Sequence, residues 1–326
     1  MSDGEKFIVA LGGAAAAWPL AARAQQKVAQ IGFLGAASAA AYARQVEGFH
    51  LGLHDLGYIE GTNVVIDYRW AEGKYERLPQ LAADLIRSGV DVIVTHGTPG
   101  TLAAKRATIT VPIVMAIIGD PVAAGIIASM ARPGGNITGQ SFFYPELSAK
   151  WVELLKEVMP QMARVASLLN PDNPFNIGPA FQAMETTAQS LKVGLQQFPV
   201  RGPNEYESAF ERMEQADTQG ITIADDGMLN ANRVTIATAA AKRRFISIGN
   251  KEFAQVGGVI GYGVDYFTTF RRTAAFVDKI LKGTKPADIP IEQAAKFEFV
   301  LNLKTAKAIG IELPTATLLR ADEVIE

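Results

Sequence analysis

Hydrophobic positions along this chain follow two alternating rhythms. Short apolar runs fit strands, and between them lie segments whose apolar residues recur at spacings of three and four, the signature of an amphipathic helix. Residues 28–34 form the first strand-like run, closed by Gly35. A helix is predicted over 42–56, where Val46, Phe49, Leu53 and Leu56 share a face and Gly57 supplies the stop. Strands at 63–70, 90–95 and 111–118 follow, with a helix at 78–86 and others opening at Thr98-Pro99 and Asp120-Pro121; residues 136–143 close the series. The rhythm then restarts. Helices are expected at 150–159, 179–191, 206–216 and 231–243, and strands at 164–169, 195–200, 221–224, 245–248 and 259–262. A tail adds a helix at 265–282, a strand at 297–302 and a helix at 303–309. Two βαβ series of similar length, with no low-complexity linker between them, predict an α/β protein of two doubly wound parallel-sheet lobes.

The 326 residues suffice for two such lobes. Basic and acidic side chains number 31 and 33, a net charge of −2 that gives no footprint for nucleic acid. The absence of cysteine excludes disulfides, thiol catalysis and cysteine-held metal. No G-x-G-x-x-G, P-loop or G-x-S-x-G motif occurs, so nucleotide and α/β-hydrolase chemistry lack their anchors. The beginning of the chain changes the picture more. Residues 7–20 are uncharged and largely apolar, too short to span a membrane, and lead to Ala22-Arg23-Ala24. This pattern predicts a signal peptide over residues 1–24 and a mature chain starting near Gln25, although Asp3 and Glu5 outweigh Lys6 in a region that is normally basic.

In open parallel sheets, ligands bind beyond the carboxyl ends of the strands. The loops there bring together Ser38, the run Thr95-His96-Gly97-Thr98, Asp120, Ser141, Asn170, Asp225 and Asp265, which are the candidate ligand-binding residues. Thr98 and Asp120, each before a proline, read as helix N-caps, where exposed N–H groups suit a carboxylate or phosphate. Aspartates on facing loops suit an ammonium group, so together they point to a small zwitterion. Any single loop is equally explained by capping alone. His96 lacks a nucleophile or carboxylate partner, and His50 and His54, spaced i, i+4, lack the zincin glutamate; no catalytic or metal-binding residue and no cofactor is assigned. Phe142 and Tyr262 fit either ligand stacking or packing.

Four segments carry a resemblance: FIVALGGAAAAWPLAARAQQ, GLHDLGYIEGTNVVIDYRWAEG, GDPVAAGIIASMARPGGNITG and KFEFVLNLKTAKAIGIELP. Through them the chain resembles, over nearly its whole length, the tryptophan/tyrosine-type ABC transporter substrate-binding proteins. The resemblance implies the type I periplasmic-binding fold, its two lobes joined by three hinge crossings. It places lobe 1 at 25–143 with a returning segment near 265–300, and lobe 2 at 144–264 with a C-terminal segment near 301–326. It also implies a periplasmic monomer that closes on a small ligand, an amino acid or small carboxylate, and delivers it to a permease and an ATPase. Two features depart from the family pattern: MSDGEK stands where leaders carry twin arginines, and His96 replaces a smaller residue. An α/β enzyme and a ligand-sensing module for a receptor or regulator are the rival classes; the former needs a nucleophile–base pair that the chain does not display.

Overall fold

The computed structural model describes residues 28–294 and 296–326, so the expected leader lies outside the described residues. Strands β1 (Ala29–Gly35), β2 (Val64–Trp70), β3 (Val92–Thr95), β4 (Ile113–Ile118) and β5 (Ile137–Ser141) begin the first sheet. Strands β6 (Arg164–Leu169), β7 (Gly194–Pro199), β8 (Gly220–Ile223), β9 (Ile246–Gly249) and β10 (Ile260–Gly263) begin the second. The chain then returns β11 (Glu292–Gln293) to the first sheet and adds β12 (Glu298–Asn302) and β13 (Glu323–Ile325) to the second. The resulting orders are β11-β5-β4-β3-β1-β2 and β13-β12-β10-β9-β8-β6-β7. Every described pairing is parallel except β10 with β12. Each half therefore winds in the same order, with its second strand outermost and its first strand beside the third. That order places a crevice at the carboxyl ends. The near-continuous apolar strands β3 and β4 are buried along their full length because helices cover both faces.

The helix Tyr266–Leu281 begins just after β10 but packs on the first sheet, against the helix Ala43–Asp55. Close approach explains the attachment. A Cβ on Gly48 would lie 2.5 Å from the carbonyl oxygen of Phe267, and one on Gly52 would lie 2.2 Å from that of Arg271. Gln140 fastens the same helix from β5, its amide donating to the carbonyls of Ala116 (3.0 Å) and Thr269 (2.9 Å) and to the Thr273 hydroxyl (3.1 Å). Between the two sheets the chain passes three times, after β5, after β10 and after β11.

Several elements depart from expectation for local reasons. Asp120-Pro121 opens no helix; the Asp120 carboxylate accepts from the N–H groups of Val122 and Ala123, both at 2.9 Å, and residues 121–125 form turns. The helix expected from residue 150 begins at Tyr144, where Pro145 fits the first turn. The helix expected over 231–243 spans Arg233–Lys242, and a short helix not expected, Gly227–Ala231, precedes it across Asn232. Short helices at Pro174–Ile177 and Lys251–Gln255 span too few residues to show a period, and Asn173 and Asn250 cap them.

Gly52→Ala should push the two helices apart and destabilise the protein by about 1–3 kcal/mol. Urea denaturation checks this; an unchanged midpoint would show that the helices accommodate a methyl group there.

Candidate ligand-binding site

Between the carboxyl ends of the two sheets lies a partly enclosed cavity. The first half contributes Tyr42, Tyr75, the run from His96 to Pro99, and Phe142; the second contributes Tyr144, Phe175, Asn176 and Asp225. Tyr266 and Phe270 enter on the returning helix. The halves touch across this space. Tyr75 donates to Asp226 at 2.9 Å, and a Cβ on Gly119 would lie 2.9 Å from the Phe175 ring. The structure is thus a closed arrangement.

Two adjacent carboxylates dominate the electrostatics. Asp226 caps the helix Gly227–Ala231 through the N–H groups of Met228 (3.0 Å) and Leu229 (3.3 Å), and it also accepts from Asn173 at 3.1 Å. Asp225 accepts from Asn230 at 2.8 Å and from the Tyr266 hydroxyl. Desolvation raises both carboxyls above their ordinary range in spite of these bonds. Among the described residues lining the cavity there is no Lys or Arg; Arg233, which donates to the carbonyl of Asn230, stands outside it. Nearby Glu252, on the helix Lys251–Gln255, is lifted by burial to about 7, and its Oε2 is buried with no hydrogen-bond partner among the described residues.

The opposite wall has the other polarity. The helix Gly97–Ala107 starts in the cavity, and no side chain caps its first turn. Gly97 has φ +67°, a conformation that favours glycine. His96 is buried against Tyr42 with ring centroids 4.2 Å apart, and burial pushes its pKa down to about 3. Its Nε2 accepts from the Ala36 N–H at 3.4 Å, which assigns the proton to Nδ1. The imidazole is therefore a neutral wall rather than a cation. Asn176 completes the polar set: it is 2% exposed, lines the cavity, and neither Nδ2 nor Oδ1 has a partner among the described residues.

Of the residues expected from the sequence, His96, Gly97, Thr98 and Asp225 meet in this cavity. Thr98 is the second residue of its helix rather than the N-cap. The others lie outside the lining. Thr95 donates to the carbonyl of Leu34 at 3.0 Å and Ser141 to that of Gly119 at 3.2 Å. Asn170 donates to Asp226 at 3.4 Å, and Ser38 accepts from the Ala41 N–H at 3.3 Å. Asp120 caps its own turn, and Asp265 caps the returning helix through Thr268 N–H while pairing with Lys251 at 2.7 Å. Sequence reasoning left Tyr42, Tyr75, Phe175, Asn176 and Tyr266 out of the candidate set. Tyr266, next to Asp265, and Asn176, three residues beyond Asn173, were within reach of the strand-end rule. Phe142 lines the cavity, whereas Tyr262 does not.

Comparison with known proteins gives a consistent picture. A family model described as ABC transporter substrate binding protein matches residues 30–325. A tyrosine-binding protein of Clostridioides difficile is 24% identical over 268 residues, covering 82% of this chain and 76% of that protein. The solved ABC domain in complex with L-Trp from Streptococcus pneumonia is 26% identical, with a TM-score of 0.83 over 91% of this chain and 99% of that one. A conserved domain protein of Vibrio cholerae is also 26% identical, with a TM-score of 0.85 over 91% and 100%.

The raised carboxyls carry a stability consequence. A group that holds its proton more tightly when folded stabilises the protein most below its ordinary pKa, and loses that contribution as pH rises through the folded value. Ligand-free protein should therefore lose stability as pH rises through about 7, where Glu252 ionises. Glu252→Gln should remove on the order of 2 kcal/mol of that pH dependence. Denaturation midpoints at pH 5 and pH 7 check this; equal slopes for wild type and variant would exclude Glu252 as the source.

Proposed function

The chain belongs to the family of ABC transporter substrate binding proteins, a family of binding proteins rather than enzymes, and from that premise we propose that it traps an aromatic α-amino acid for an ABC importer. The observation that carries the choice of ligand is the pairing of Asp225 with an aromatic-walled cavity that no lysine or arginine lines. An ammonium group beside Asp225 supplies the missing cation. The first turn of the helix Gly97–Ala107 lies across the cavity and offers free N–H groups to a carboxylate. Tyr42, Phe142, Phe175 and Phe270 form the walls that receive the ring. The L-Trp complex of the Streptococcus pneumonia protein and the name of the Clostridioides difficile protein support the same ligand class.

The two halves act as lobes: residues 25–143 with the returning segment, and residues 144–264 with the C-terminal strands. They close about the three chain passages, and ligand shifts an open–closed equilibrium toward closure. Export to the periplasm, a monomeric state and hand-over to a permease and an ATPase complete the proposal. No described helix is long and apolar enough to cross a membrane.

Titration calorimetry of the chain from Gln25 should find one site for L-tryptophan or L-tyrosine, with a Kd near micromolar, or about −8 kcal/mol. Masking the amine as N-acetyl-L-tryptophan, or changing Asp225→Ala, should weaken binding more than about tenfold, a loss above about 1.4 kcal/mol. Asp120→Ala, outside the cavity, should leave it unchanged. Affinity should fall on acidification, because Asp225 must ionise to hold the ammonium and burial has raised its pKa. Equal binding of the free and acetylated amino acids would exclude the ammonium site.

A further inference from the structure

Both polar atoms of the Asn176 amide are buried without a partner among the described residues, although the cavity surrounds them. The contrast with neighbouring residues of the same type is sharp. Asn173, three residues earlier, uses both of its atoms, accepting from the Phe175 N–H at 3.3 Å and donating to Asp226 at 3.1 Å. Asn170 and Asn230 are likewise engaged with the two aspartates. A buried amide left unpaired pays its full desolvation penalty, whereas in an open cleft water would satisfy it. Closing without ligand is therefore opposed at this side chain.

We infer that Asn176 makes closure conditional on ligand: it penalises the empty closed form and is satisfied by the head group of an α-amino acid. The amide offers two N–H donors and one acceptor within a single plane. A carboxylate and an ammonium on the same carbon complement both, Nδ2 donating to the first and Oδ1 accepting from the second. Asn176 lies in the second half, while the free helix N-terminus at Gly97 lies in the first. A carboxylate held between them joins the two halves, so the same group that binds also closes. This rests on the amino-acid reading for the identity of the head group. The penalty on the empty closed form does not.

The test replaces Asn176 with an apolar side chain of similar shape. In small-angle scattering, ligand-free Asn176→Leu should be more compact than ligand-free wild type, shifted toward the profile of wild type saturated with L-tryptophan. Its affinity for L-tryptophan should nevertheless fall by more than about tenfold, because the contact is gone. Asn176→Asp keeps the shape and the burial cost but sets a negative charge against the ligand carboxylate. It should stay as open as wild type and also bind more than about tenfold more weakly. Identical ligand-free profiles for wild type and Asn176→Leu would overturn the inference, as would unchanged affinity in a folded Asn176→Leu. Should Asn176→Leu fail to fold, an Asn176→Asp protein that is more compact without ligand, or that binds as well as wild type, overturns it. If wild type binds neither L-tryptophan nor L-tyrosine, the amino-acid reading fails. The ligand-free profiles still decide whether Asn176 opposes closure.

Discussion

Two adjacent carboxylates, Asp225 and Asp226, are buried here with no paired cation among the described residues, and much of the cleft is organised around that fact. An unpaired charge taken out of water costs several kcal/mol even after relaxation. The surrounding loops offset this with dipoles. Asn173, Asn170, Tyr75 and two backbone N–H groups converge on Asp226, while Asn230 and Tyr266 converge on Asp225. The two aspartates are not equivalent. Asp226 is saturated by capping and by the bond from Tyr75, so it serves the architecture. Asp225 takes its bonds from the side chains of Asn230, Asn250 and Tyr266 beside the cavity and caps no helix, so it is the one with most to gain from a cationic group.

The same pair links the site to the way the halves are joined. Tyr75 reaches Asp226 from the first half. Tyr266 reaches Asp225 from the start of a helix whose body is clamped to the first sheet by Gly48, Gly52 and Gln140. Its N-cap, Asp265, is held by Lys251, a buried lysine of the second half that also pairs with Glu298 at the following chain passage. A relative rotation of the halves must therefore act on Tyr266 and on this lysine together. Removing Lys251 would leave two carboxylates facing each other at the passages, which makes it a structural pivot rather than a surface ion pair.

Both sheets, most of their strands and the long helices were legible in the sequence, because the strands show as short apolar runs and the long helices as a pattern repeated over several turns. What escaped was short or non-local. The helices Pro174–Ile177 and Lys251–Gln255 complete about one turn, so no period exists to be read. The packing of the helix Tyr266–Leu281 on the first sheet depends on glycines more than 200 positions earlier. The spacing of Gly48 and Gly52 was visible, but its meaning required the partner. Likewise, the tyrosines of the site sit three to seven residues beyond strand ends, on elements whose rotation the sequence does not set.

Strand-end polar residues divide by what they bond to, and that division explains which expectations met in the cavity. A hydroxyl, carboxylate or amide at such a position has a choice between closing a turn and facing the cleft, and the local backbone decides. Thr95 and Ser141 are drawn to carbonyls of neighbouring strands, while Asp120 is held by two N–H groups of its own turn. Each is energetically complete without a ligand. Thr98 reaches the cavity because its helix starts two residues earlier than a capping role would require. Asn176 reaches it because Asn173 has already capped the short helix that carries both. Residue type nominates a site, but it is the unfilled hydrogen-bonding capacity left after the fold has satisfied itself that selects one, and here that capacity lies at Asn176, the Gly97 helix end and Asp225.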